Sequence, residues 1–313
     1  MRQMNRREFI KYGAVVAPTI GATSAWAKIE QPEIAFTFDD PKTDVCGGLP
    51  WQEINTRMLA ALSKHHIKAV LFVTGKRVDS EAGRNLVDAW DRSGHAIGNH
   101  SYSHLFFNDS DTKLSDFESD VLKNENLIHG CRHFVRLFRF PYFKEGETAD
   151  KRDGMRSFLQ RQQYRIGRAT IDASDWAISW RLEKRLDGAP KGDTTPYREF
   201  FKQHIWDRAQ FYDSLARRLL KHPVRHTILL HHNALNALYL DDLIAMFIDK
   251  GWKPIDALLA YADVVYNRQP EILPAGESLI WAVAKESGKF ENELRYPGED
   301  DIYENPKMDA LGL

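Results

Sequence analysis

Short apolar runs rich in β-branched and aromatic residues recur along this chain at the spacing of βαβ units, and that recurrence restricts the fold more than any single motif. The first, residues 33–39, is apolar on both faces, as a central strand of a parallel sheet should be. Further strands are expected at 68–74, 95–99, 136–140, 164–170 and 225–231. Helical patterns fall between them at about 51–65, 80–93, 113–129, 152–163 and 195–221, with shorter ones near 240–250 and 255–261. Segments 41–50 and 180–196 carry Gly or Pro without a clear period and read as surface loops. From Asp263 onward the pattern decays into polar, Pro- and Gly-punctuated sequence, read as a tail that wraps the domain. The fold class is therefore α/β, built on one parallel sheet.

The chemically unusual residues fall at the C-terminal ends of these strands, the active face of a β/α barrel. Asp39 and Asp40 close the first strand, His100 follows the third, and Arg139 and His231 end later ones. Asp40, His100 and His104 make a two-histidine, one-carboxylate set, with a position left for water, as in a catalytic metal site. His100 and His104 are four apart, so one helical turn would set both rings side by side. Zinc suits such donors, while cobalt, nickel and manganese are tolerated. No HExxH glutamate accompanies the pair, so a general base must come from elsewhere, and Asp39 is the nearest candidate. Arg139 can hold a carboxylate in a bidentate fork. Asp172 and Asp175 offer further carboxylates for it, Trp176 an indole platform, and His231 a general acid. His65–His66 is read simply as a solvated helix end.

Forty-three basic and forty-four acidic residues give a formal net charge of −1, which argues against a nucleic-acid binder driven by bulk phosphate attraction. Arg6–Arg7 precede an apolar run, residues 12–26, that ends at Ala25-Trp26-Ala27. Residues 1–27 are accordingly read as a twin-arginine export signal, with the export machinery as a partner and a periplasmic or extracellular destination. Pro18 interrupts that run, which is short of the ~20 residues of a comfortable span, so no stable membrane span is expected in the mature chain. Cys46 and Cys131 are the only cysteines, so no disulfide framework holds the fold; an oxidising destination allows one bridge, but nothing in the sequence brings the two close.

Taken in order, Thr37-Phe38-Asp39-Asp40, His100-Ser101-x-x-His104, Arg139-Phe140-Pro141-Tyr142, Asp172-x-x-Asp175-Trp176 and Leu229-Leu230-His231 resemble the five motifs of NodB-homology polysaccharide deacetylases, carbohydrate esterase family four. The resemblance spans about residues 34–233 and weakens towards 266. It implies a distorted, seven-stranded (β/α) barrel over residues 28–266, with 267–313 as a C-terminal extension. It also implies metal-dependent removal of acetyl groups from an N-acetylated glycan. By position, Asp39 resembles the family's base, Asp40, His100 and His104 its metal ligands, and His231 its acid. Arg139 would orient Asp39, and Asp172 would pair with Arg139, a role for which Asp175 competes. Tyr142 would offer its backbone N–H to an oxyanion, and Trp176 and Leu229 would wall the acetyl pocket. Pro41 and Lys42 stand where the family has a glycine after the paired Asp, and the insertions at 42–50 and 180–196 are expected to reshape the substrate groove. Two other readings stay open: a hydrolase of other non-peptide C–N or ester bonds, and a catalytically silent carbohydrate-binding protein.

Overall fold

The computed structural model describes residues 31–189 and 192–313, and the export signal expected at residues 1–27 lies outside them. Nine strands are formed among the described residues: β1 (Glu33–Asp39), β2 (Val70–Val73), β3 (Ala96–Asn99), β4 (Phe134–Phe138), β5 (Lys144–Gly146), β6 (Arg165–Ile166), β7 (Arg225–His231), β8 (Lys253–Pro254) and β9 (Ala275–Gly276). Seven of them make one sheet in the order β6-β4-β3-β2-β1-β7, with β8 added at the start of β1. All its pairings are parallel. β5 and β9 form a separate antiparallel pair. β1 is central, and six of its seven residues are buried, in keeping with its two apolar faces.

The sheet curls until its two sides meet. Gly167 N–H donates to Phe138 O at the edge of β4, whereas Thr170 and Ile171 donate to Thr227 O and Ile171 O accepts from Leu229 on β7. One short segment therefore leaves one side of the sheet and reaches the other. That crossing explains why the expected strand at 164–170 forms regular pairing only at Arg165–Ile166. Phe72 fills the middle of the curl. A Cβ on Gly98 would sit 2.7 Å from its ring and one on Gly167 2.5 Å, so both positions need glycine for the ring to fit. Such filling is that of a packed core rather than a pore.

Several expectations give way to tertiary structure. Residues 180–196, expected to loop, instead belong largely to the helix Asp175–Gly188, with Ala177, Ile178, Leu182 and Leu186 buried. The apolar positions 178, 182 and 186 are four apart, the period of one helix face. The tail contains the helix Leu279–Ser287, whose first six residues are buried, and a second helix, Asp301–Leu311. The stretch expected as helical at 255–261 is a single turn, Ala257–Ala260, and the helix expected from 240 begins at Ala234. Residues Gln31–Leu313 form one compact unit, and the C-terminal segment is tied to the sheet through Leu279 N–H on Ala169 O. Cys46 and Cys131 are both free. No helix among the described residues is long and apolar enough to cross a membrane.

Candidate metal and catalytic site

The C-terminal ends of β1, β3 and β7 open into a cleft of about 860 Å³. Asp40, His100 and His104 face it, each offering one ligand atom, and these atoms lie within 4.8 Å of one another. The histidine pair is not held by a helical turn as its spacing suggests. Residues 100–105 form an irregular loop in which Ser101 (φ 61°) and His104 (φ 57°) adopt left-handed backbone conformations. Asp40, Tyr142, Phe143 and Ser174 share that conformation around the same cleft. Each such non-glycine residue costs about 1–3 kcal/mol and persists only where surrounding contacts fix it.

Those contacts also fix the chemistry. His100 Nδ1 lies 2.8 Å from the Arg139 carbonyl; this bond places the proton on Nδ1 and leaves Nε2 free as a donor atom. Burial pushes both imidazoles down to about 4, and in His104 the neighbouring His100 adds to the effect, so both rings are neutral, as ligands must be. Burial alone would raise Asp40, but His100, His104 and Arg77 outweigh it and hold the carboxylate ionised. Thr74 Oγ1 donates to Asp40 Oδ1 at 2.5 Å, and Arg77 Nε lies 3.4 Å from the same oxygen. The three donors thus fit a divalent cation in charge state and convergence.

Asp39 takes a different environment although it is adjacent in sequence. It is 2% exposed, and burial lifts its carboxyl to about 6 while the Arg139 guanidinium opposes the rise. Arg139 Nη1 donates to Asp39 Oδ1 at 2.7 Å. Its remaining donors go to Gly167 O, Thr37 Oγ1 and Tyr261 OH, and its guanidinium lies 4.0 Å over the Phe72 ring. Arg139 therefore fixes Asp39 through one oxygen, not a bidentate fork. Neither Asp172 nor Asp175 is among the partners of Arg139, which donates to Asp39, Gly167, Thr37 and Tyr261 instead; this corrects the pairing expected from sequence.

Asp175 serves His231 instead. Its Oδ1 lies 2.7 Å from His231 Nδ1, while its Oδ2 accepts from the His231 backbone N–H and from the Asn233 and Asn236 amides. Burial would lower the imidazole, but Asp175 outweighs it and raises His231 to about 9. The ring is held by Nδ1, which leaves Nε2 as its second proton site. Tyr142 and Trp176 line the cleft and are exposed, and Leu229 packs with Phe143 and Ala169. Phe143 N–H closes a tight turn on Phe140 O, leaving the Tyr142 N–H outside that bond. Asp172 lines the cleft too.

Residues 27–158 match the family model described as polysaccharide deacetylase. This stretch, less than half of the chain, is similar to polysaccharide deacetylases. Over 145 residues it is 28% identical to a peptidoglycan-N-acetylglucosamine deacetylase of Bacillus cereus, covering 46% of each chain. A second such enzyme of B. cereus is 33% identical over 109 residues, covering 34% of this chain and 45% of the relative. The Listeria monocytogenes peptidoglycan-N-acetylglucosamine deacetylase PgdA is 27% identical over 145 residues, covering 46% of this chain and 26% of the relative. The chain thus matches less than half the length of these curated relatives. Among solved structures, a mutant of a CE4 family pseudoenzyme superposes with a TM-score of 0.52 at 20% identity, covering 74% of this chain and 67% of that one. That likeness supports the curled α/β fold.

Several residues that shape the cleft lie outside the sequence motifs. Thr74 and Arg77 act on Asp40 from the segment after β2, and Tyr261 holds Arg139 from a one-turn helix. Glu277, Glu299, Asp300 and Asp301 reach the cleft from the C-terminal segment. A signal existed for that segment in the apolar run Leu279–Ala284 between Ser278 and Gly288, which reads as a buried helix with a stop.

Proposed function

We propose that this chain is an exported, metal-dependent deacetylase that hydrolyses the N-acetyl group of an N-acetylglucosamine-containing polysaccharide or oligosaccharide. The reading is carried by one juxtaposition: three convergent ligand atoms beside a carboxylate fixed by arginine and an imidazole fixed by a second carboxylate. The names of the curated relatives support the substrate class, and the twin arginines at residues 6 and 7 support export.

Asp40, His100 and His104 would hold a divalent cation, zinc by preference, which would supply Lewis acidity to the carbonyl and lower the pKa of water towards neutrality. Asp39 takes the proton of the attacking water, with Arg139 holding its other oxygen still. The Tyr142 N–H donates to the developing oxyanion. His231 then gives its Nε2 proton to the departing amine nitrogen, and Asp175 stabilises the imidazolium before that transfer. Trp176 and Leu229 wall the acetyl group.

Acetate release from peptidoglycan, chitin oligomers and an acetylated exopolysaccharide by zinc-loaded protein tests the proposal. Release from at least one glycan, abolished by chelation and restored by zinc, is the expected result. Sugar binding with no release from any of them would overturn it.

A further inference from the structure

The cleft has a second end of opposite character. Glu277 is ion-paired with Lys144, and Glu299 with Arg208 and Arg295, so these two acids bring their own counterions. Asp172 has none. It is 7% exposed and faces the cleft, and among the described residues no side chain donates a hydrogen bond to it. A buried carboxyl with no cation or side-chain donor, held only by the Ala173 N–H, is costly to ionise, whereas a cationic ligand would satisfy it. Deacetylation of an amino sugar produces one such cation, a primary ammonium.

We infer that Asp172, together with Glu277 of the C-terminal segment, forms a subsite for the ammonium group of a deacetylated glucosamine residue. The inference rests on the deacetylase reading for its substrate class. It gives the C-terminal segment a specificity role, favouring glycans that carry free amines over fully acetylated ones. Burial, with Glu299 and Glu277 adding to it against the opposing pull of His231 and the Ala173 N–H, holds Asp172 up to about 8. Near neutral pH it is therefore largely protonated in the free protein. A bound ammonium favours its ionised form, so binding should release a proton to the buffer.

Calorimetric titration of zinc-loaded Asp39→Asn protein, which prevents turnover, compares a glucosamine tetramer with the N-acetylglucosamine tetramer at pH 7 in two buffers of different ionisation enthalpy. The amine tetramer should bind about tenfold tighter, a difference of about 1.4 kcal/mol, with proton release. Adding Asp172→Asn should remove both the preference and the proton release at an unchanged melting temperature, and Glu277→Gln should shrink the preference. Equal affinity for the two tetramers, or a preference that survives Asp172→Asn, overturns the inference. Full competition by free glucosamine assigns the ammonium to the reaction's own product. Tighter binding of a mixed amine and acetyl tetramer than of either pure one assigns it to a neighbouring sugar. Acetate release by the native enzyme without any amine preference would sink this inference and leave the proposed activity standing, whereas the preference without acetate release would do the reverse.

Discussion

At the metal end of the cleft the groups are held by backbone and buried side chains over short distances, whereas the opposite end is walled by a helix start and a C-terminal segment. Asp39, Asp40, His100, His104 and Arg139 all precede residue 158, where the family match stops. His231, Asp175, Trp176 and the acidic rim all lie beyond it. The first end must bring donor atoms within a few ångströms of one another, so few residue types and loop shapes satisfy it. A wall needs only shape and polarity, so many sequences can build it. Metal and base chemistry is thus concentrated in the first group, the acid His231 sits beside Asp39 at the end of the neighbouring strand β7, and substrate choice belongs to the wall, so substitutions in the chemistry and in the wall should fail differently.

The largest effect is expected at the metal end. His100→Ala or His104→Ala should lose bound metal and reduce acetate release to background, while circular dichroism shows the fold retained, because both rings lie at the barrel mouth. Full metal occupancy in both variants, read by elemental analysis, would remove the ligand assignment. Asp39→Asn comes next. It should bind metal almost normally, since Asp39 is not among the convergent ligand atoms, yet turn over about 10²–10⁴-fold more slowly through loss of the general base. If Asp39→Asn and Asp40→Asn lose metal equally, the division of roles between adjacent carboxylates fails.

The acid, His231, is tested by pH. His231 must be protonated to act, and Asp175 raises it to about 9, so activity should persist through neutral pH and decline as pH rises through that value. Asp175→Asn keeps a hydrogen-bond acceptor but removes the charge. The alkaline limb of kcat/KM should then move down towards the ordinary imidazole value of about 6.5, with a loss of roughly tenfold or more at pH 8. An unmoved limb would dissociate His231 from the protonation step.

The same division governs what could be read from the chain beforehand. The motifs put Asp39, Asp40, His100, Arg139 and His231 at strand ends, where the structure also has them, because a strand's length and alternation fix where its last side chain goes. The means of convergence were not legible. The four-residue spacing of His100 and His104 suggests a helical turn, but left-handed backbone at Ser101 and His104 does that work, and non-glycine residues give no sequence sign of such a conformation. The resemblance names Asp39 as the carboxylate that Arg139 orients, as observed, but that Asp172 and Asp175 stay off the guanidinium was equally hidden. That choice depends on a crossing of the chain at Gly167 and on Tyr261, nearly a hundred residues further on. The helix Asp175–Gly188 was obscured by its charged residues and by the breakers that follow it, although Ile178, Leu182 and Leu186 carry its period.

That helix supplies the smallest and most discriminating test of the two ends. Trp176 is its second residue and is 43% exposed on the cleft, so its indole contributes little to the core and is available to a sugar face. Aromatic stacking of this kind is worth about 0.5–1.5 kcal/mol beyond buried area. Trp176→Ala should therefore raise KM for an oligosaccharide by up to about tenfold, leaving kcat, metal content and melting temperature nearly unchanged. The neighbouring Trp180, also exposed on the cleft, lies under Lys184, which is 3.4 Å from its ring centroid; its face is occupied and its removal should matter less. A fall in kcat with KM unchanged for Trp176→Ala would place the indole in the chemistry rather than in the wall. A larger KM effect at Trp180 would mean that the sugar path runs along the helix, away from the acetyl pocket.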